Sequence, residues 1–81
     1  MYLRVYSLKK TFFEGEAESI TCKTTSGEIT ILNNHHPLIT VLAPGAITVI
    51  DKSEKKEYIN ASSGFLEVQN NRISVILEEA S

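Results

Sequence analysis

The chain has 81 residues, 42% apolar and 22% charged, with a formal net charge of −2. That length allows one small domain, residues 1–81, with a thin core, since folding at this size buries only roughly 60% of the surface of the unfolded chain. Lys and Arg are scattered along an acidic chain, so nothing attracts a phosphate backbone, and nucleic acid is excluded as a partner. The one cysteine, Cys22, cannot form a disulfide within the chain and reads as a small core residue. The opening "MYLRVYSLKK" is not a secretory signal. The longest apolar run is far short of the roughly 20 residues that span a bilayer, so any membrane association would go through another protein.

The elements follow in chain order. Residues 1–6 alternate, with Met1, Leu3 and Val5 on one face and Tyr2, Arg4 and Tyr6 on the other. In "FFEGEAESITCK" (12–23) the alternation breaks: Glu16 and Glu18 share the parity of Ile20 and Cys22. A strand cannot aim both pairs at one core, which predicts a bulge near Glu18–Ser19. "TTSGE" (24–28) is a turn, and residues 29–32 form a short strand. Residues 33–37, Asn-Asn-His-His-Pro, make a polar corner. "LITVL" (38–42) is apolar enough to be buried on both faces, and Pro44 and Gly45 mark the next turn.

"AITVI" (46–50) and "EYINA" (57–61) flank a charged loop, and a hairpin pairing Val49 with Ile59 and Ile47 with Ala61 is plausible. The last hairpin is better determined. Asn70-Asn71 suits a two-residue type I′ turn, which pairs Gln69 with Arg72, Val68 with Ile73, Glu67 with Ser74, and Leu66 with Val75. Like then meets like on each face, and Phe65 opposite Ile76 makes the outer face partly apolar as well. Only the tail "LEEAS" could begin a helix. Short strands at close spacing predict an all-β fold, a flattened β-sandwich or barrel of short antiparallel strands.

Candidate chemistry is sparse. His35 and His36 are adjacent, so an extended chain points them to opposite faces. With no third histidine and one distant cysteine, the ligand count falls short of a zinc site, and no metal is expected. A histidine base lacks a nucleophile and an orienting group, because Ser62-Ser63-Gly64 is not a nucleophile elbow. Glu14, Glu16 and Glu18 read as one solvated strand face rather than an acid–base pair. Neither phosphate-binding glycine motif occurs. The residues alone describe a binding or assembly module rather than an enzyme.

The order of three segments is distinctive. "FEGEAESI" (13–20), "GEITILNNHHPLITVLAPG" (27–45) and "SSGFLEVQNNRISVILEEA" (62–80) resemble the epsilon subunit of the F-type ATP synthase, in its N-terminal β-sandwich domain. The family's glycine-glutamate, apolar pair, proline-glycine-histidine-alanine-proline corner and lysine-proline-glycine turn fall on Gly27-Glu28, Ile31-Leu32, Asn33 to Pro37 and Ala43-Pro44-Gly45. Departures are Asn33-Asn34 for proline-glycine, His36 for a small residue, Thr30 and Ser63 for glycines, and Ser7-Leu8 for a threonine-proline pair.

The resemblance implies a non-catalytic central-stalk rotor subunit of a proton- or sodium-translocating synthase. Such a subunit links gamma to the c-ring and helps couple ion flow to ATP synthesis. It implies a peripheral position on the cytoplasmic side of the membrane, most simply the bacterial inner membrane. By resemblance the c-ring-facing residues are Gly27, Glu28, His35, His36 and Pro37, and the gamma-facing residues are Ser7, Leu38, Ile39 and Thr40. Many members add a C-terminal helical hairpin that binds ATP or extends to inhibit hydrolysis. The sequence ends at Ser81, where that hairpin would begin, which implies a short or trimmed form with no ATP site and no cofactor. The competing reading is an unrelated β-sandwich module for peptide or sugar, which would want Tyr2, Tyr6, Phe12 and Phe13 exposed as a cluster.

Overall fold

The computed structural model describes residues 1–78 and shows eight strands and no helix among them. Strand β1 (Tyr2–Tyr6) buries Leu3 and Val5 and turns Tyr2, Arg4 and Tyr6 outward, the alternation its sequence requires. Strand β2 (Thr11–Thr24) runs for 14 residues and serves both layers of the molecule. The expected bulge is there: in its pairing with strand β5 (Gly45–Asp51), the register shifts between Ala17 and Ser19. The extra residue reverses parity, so Glu18 stays exposed while Ala17, Ile20 and Cys22 all reach the core.

Strand β3 (Gly27–Leu32) pairs with β2, and strand β4 (Leu38–Leu42) pairs with β7 (Ser63–Gln69). Strand β6 (Lys56–Ala61) lies at one edge beside β5, and β8 (Arg72–Glu78) joins β7 to β1. One layer is β4–β7–β8–β1 with the first half of β2, and the other is β3, the second half of β2, β5 and β6. Their inner faces share one core, in which Leu3, Val5, Leu66, Ile73 and Val75 meet Ile20, Ile31, Ile47 and Val49. The antiparallel expectation holds for every strand pair but one. β1 and β8 run parallel, Tyr2 beside Arg72 through Tyr6 beside Ile76.

The β7–β8 hairpin has the expected register in full, with Asn70 and Asn71 both left-handed at φ 53° and 58°. The β5–β6 hairpin does not. Ile47 pairs with Ile59 and Val49 with Glu57, two residues tighter than the expected register. Asp51 causes the difference: its carboxylate accepts the N–H groups of Ser53 and Lys55 at 2.8 and 3.0 Å, closing a short loop in which Glu54 is left-handed at φ 65°. Burial of 38–42 on both faces is also overturned, since Ile39 is 73% and Val41 45% exposed. β4 belongs to an outer layer with core on one side only. Leu77 and Glu78 continue β8 rather than starting a helix, and the rest of that expected helix lies outside the described residues.

At Gly64 the backbone of β8 lies close against β7. Gly64 pairs with Leu42 on one side and Leu77 on the other, and a Cβ there would lie 2.2 Å from the Ile76 carbonyl oxygen. Backbone cannot yield as a flexible side chain can. Gly64→Ala is therefore expected to cost about 3 kcal/mol, read as a lower urea midpoint.

Candidate functional site

The residues expected to face the ring do not form one patch. Gly27 and Glu28 open β3, whereas His35, His36 and Pro37 follow its far end. The other four residues of β3, Ile29 to Leu32, put about 13 Å of extended strand between Glu28 and the corner. At the first end, Thr24 Oγ1 accepts the Ser26 N–H at 3.0 Å and donates to the Gly27 carbonyl at 2.8 Å. That turn is tied to the β4–β5 turn, where the Ala43 N–H donates to the Lys23 carbonyl at 2.9 Å. A Cβ on Gly45, at φ 154°, would come within 2.8 Å of the Lys23 side chain, so this turn is built around a glycine. Glu28 is exposed and sits opposite Lys23 across the β2–β3 ladder.

At the other end, Asn34 takes the left-handed conformation at φ 63° that a family glycine would occupy. Its N–H donates to Asn71 Oδ1 at 2.8 Å, and the Asn71 carbonyl accepts the Tyr2 N–H at 3.1 Å. Asn33 Oδ1 accepts from the Met1 ammonium, which also donates to the Ala17 carbonyl at 3.2 Å. The asparagines thus hold the corner to the last hairpin and to β1. His35 and His36 are both exposed, with rings edge to face and centroids 6.4 Å apart. His35 Nδ1 donates to the His36 carbonyl at 2.7 Å, which places the ring proton on Nδ1. Among the described residues, no three His, Cys, Asp or Glu side chains gather as metal ligands would.

The expected gamma-facing residues differ in availability. Ser7 is buried, and its hydroxyl accepts the N–H groups of Lys9 and Lys10 at 3.2 and 3.3 Å, so it shapes the β1–β2 turn. Leu38 packs against the core, and Thr40 is half-buried. Only Ile39 stands out in solvent.

Beside Ile39 lies a surface that the residue-by-residue reading missed. Val41 pairs with Phe65, Phe65 with Ile76, and Ile76 with Tyr6, so four strands line up an apolar row on the outer face. Phe65 is 58% and Ile76 42% exposed. Proline, Leu38 and Ile39 begin a shallow cavity of about 390 Å³ at the same face, closed by Glu67, Val68 and Gln69, the proline being Pro37. The signal was present in the last hairpin, where correct register already set Phe65 against Ile76. The aromatic cluster wanted by a sugar- or peptide-binding module takes another form. Tyr2, Tyr6, Phe12 and Phe13 are half-buried, and Arg4 covers the Tyr6 ring at 4.0 Å while Lys10 covers Phe12 at 4.7 Å.

Residues 1–81 match the family of the ATP synthase Delta/Epsilon chain, beta-sandwich domain. The chain belongs to that family. The ATP synthase epsilon chain of Psychrobacter arcticus is 39% identical over 77 residues, covering 95% of this chain and 56% of the relative. That of Chromohalobacter salexigens is 36% identical over 77 residues, covering 95% and 55%. The chain therefore spans just over half the length of these curated relatives. Among solved structures, a chain of the Euglena gracilis mitochondrial ATP synthase assembly of OSCP, F1 and c-ring superposes with a TM-score of 0.87 at 27% identity, over 98% of this chain and 51% of that one. A chain of the Tetrahymena thermophila central stalk and c-ring gives 0.82 at 23% identity, over 98% and 63%, and supports the fold alone.

Two outcomes follow from this geometry. Asn71→Ala removes the acceptor for the Asn34 N–H and places a Cβ-bearing residue without a polar side chain in the left-handed region. The expected loss of stability is about 2 kcal/mol by urea denaturation. Cys22, buried in the core, has its thiol pushed up from 9.0 to about 11, first by burial and second by the Glu28 charge. A pKa raised by folding favours the folded state below the unfolded value and loses that contribution as pH climbs through the folded one. Wild-type stability should therefore fall more steeply between 9.0 and about 11 than that of Cys22→Ala.

Proposed function

We propose that this chain acts as the sandwich part of a rotor subunit in the central stalk of an F-type ATP synthase, held between gamma and the c-ring. The observation that carries this reading is the row Val41–Phe65–Ile76–Tyr6 with Ile39 beside it, in a chain of the epsilon family. Apolar side chains in contiguous cross-strand positions on an outer face mark a contact surface rather than scattered exposure. Gamma is the partner assigned to this face, and Ile39 is the point where the face and the family resemblance agree. Leu38 and Thr40 lie on the inward face of the same strand, and Ser7 shapes the turn that follows Tyr6.

The ring contact is assigned to the end that carries Gly27 and Glu28. The apolar row lies next to that end, because Leu42, Gly64 and Leu77 terminate the same strands there. Gamma and ring would then meet adjoining surfaces of one rigid body. The His35, His36 and Pro37 corner lies past the other end of β3, beyond about 13 Å of strand, and is assigned no ring contact. Glu28 would pair with a basic ring group, worth about 0–1 kcal/mol if exposed, and so set orientation more than affinity. The role is mechanical: torque passes through a body with one core, and the chain itself makes or breaks no bond. The setting is the cytoplasmic side of a bacterial inner membrane, reached only through the complex.

Binding to gamma and to the c-ring tests the assignment. Phe65→Ala should weaken gamma binding by about tenfold while changing stability by no more than about 0.5 kcal/mol. Glu28→Gln should weaken retention on the ring, and His35→Ala and His36→Ala should leave both contacts unchanged. Full gamma affinity in Phe65→Ala would contradict the assignment of this face.

A further inference from the structure

A strand can pair along two edges, and β4 uses only one in full. Leu38 to Leu42 pair with Val68 to Gly64 of β7. On the other edge, the one ladder position among the described residues is Thr24 opposite Leu42. It is flanked by two bonds, from Thr25 N–H to the Val41 carbonyl at 3.4 Å and from Ala43 N–H to the Lys23 carbonyl at 2.9 Å. These bonds fix the direction of the backbone. In an antiparallel ladder the N–H and C=O of one residue point to the same side, and neighbouring residues point to opposite sides. The Val41 carbonyl points towards β2. The Val41 N–H and both groups of Ile39 therefore point to that open side, while Leu38, Thr40 and Leu42 bond to β7.

Among the described residues nothing strand-like reaches Ile39, because β2 gives the rest of that edge to β5 over Ala17 to Thr21. The composition of this edge contrasts with that of β6, which with β3 borders the other layer. β6 begins Lys56-Glu57 and follows Glu54 and Lys55, charges that discourage another strand. β4 reads Leu-Ile-Thr-Val-Leu, with no charge, no proline and no bulge in its ladder to β7. Its open edge is a template for pairing.

We infer that an extended segment of the gamma subunit adds to β4 as a further strand, bonding to the N–H and C=O of Ile39 and the N–H of Val41. This rests on the rotor reading above. The spacing of the open groups suits a polypeptide backbone. The Val41 side chain continues the Phe65–Ile76 row and Ile39 stands beside it on the same face, so the added strand would carry apolar residues at alternate positions there.

Amide hydrogen exchange on the whole chain, with and without gamma, tests this. The Ile39 and Val41 amides should exchange rapidly in the free chain and slow by about tenfold or more with gamma, while the Thr40 amide is slow in both states. Unchanged exchange at Ile39 and Val41 in a gamma-bound chain would overturn strand addition and leave the rotor reading intact. A chain that does not bind gamma at all would overturn both. Protection of these amides in the free chain as its concentration rises would give the edge to a second copy instead. Ile39→Pro removes an N–H on the open edge only and should weaken gamma binding by about tenfold, with Ile39→Val near wild type. Equal affinity of all three would also overturn the inference.

Discussion

The molecule depends on how one long strand divides its two edges. β2 gives one edge to β3 over Ser19 to Thr24. Its other edge is shared, with β5 on Ala17 to Thr21 and β4 on Thr24 alone. Before that it pairs with β1 through Thr11 to Glu16. A strand can do all this only by changing faces part-way, and the shift at Ala17–Ser19 supplies the change. Both layers then close over one core, and β4 is left with most of one edge unpaired. The sandwich, the core and the open edge share this one cause.

The same arithmetic explains the apolar outer face. A two-layer molecule of 33 × 24 × 19 Å can bury one face of each strand and no more. Leu66, Val68, Ile73 and Val75 take the inner positions of the last hairpin, each no more than 2% exposed. Each such side chain contributes about 1.5–3 kcal/mol to folding. Phe65 and Ile76 alternate with them and face outward, where they add nothing to this core. Keeping large apolar groups in solvent is unfavourable for the isolated chain, and it becomes favourable when a partner covers them.

How much was legible in the sequence varied by element for physical reasons. The last hairpin was legible in full because two asparagines set the turn and both faces sorted by polarity in one register only. The bulge in β2 showed itself as a parity conflict between Glu16 and Ile20. The β5–β6 register slipped by two because a shift of two keeps every side chain on its face, and the Asp51 cap that decides the loop length leaves no mark in the apolar pattern. The apolar run of β4 suggests burial on both sides because such a run looks the same whether its second face meets a core or a partner. The parallel contact of β1 with β8 joins residues about 70 apart, and no local pattern encodes it. The family resemblance placed Gly27, Glu28 and His35 in one group by proximity in the chain, but a fully extended β3 lies between them.

On the rotor reading proposed above, the β4–β7–β8–β1 face is the one that gamma covers. Hydroxyl-radical footprinting of the chain, free and bound to gamma, tests it most directly, since Phe65 and Tyr58 are both exposed aromatics on opposite layers, 58% and 69% open. Gamma should protect Phe65, Ile76 and Tyr6 and leave Tyr58 as reactive as before. Protection of Tyr58 with Phe65 still reactive would contradict it.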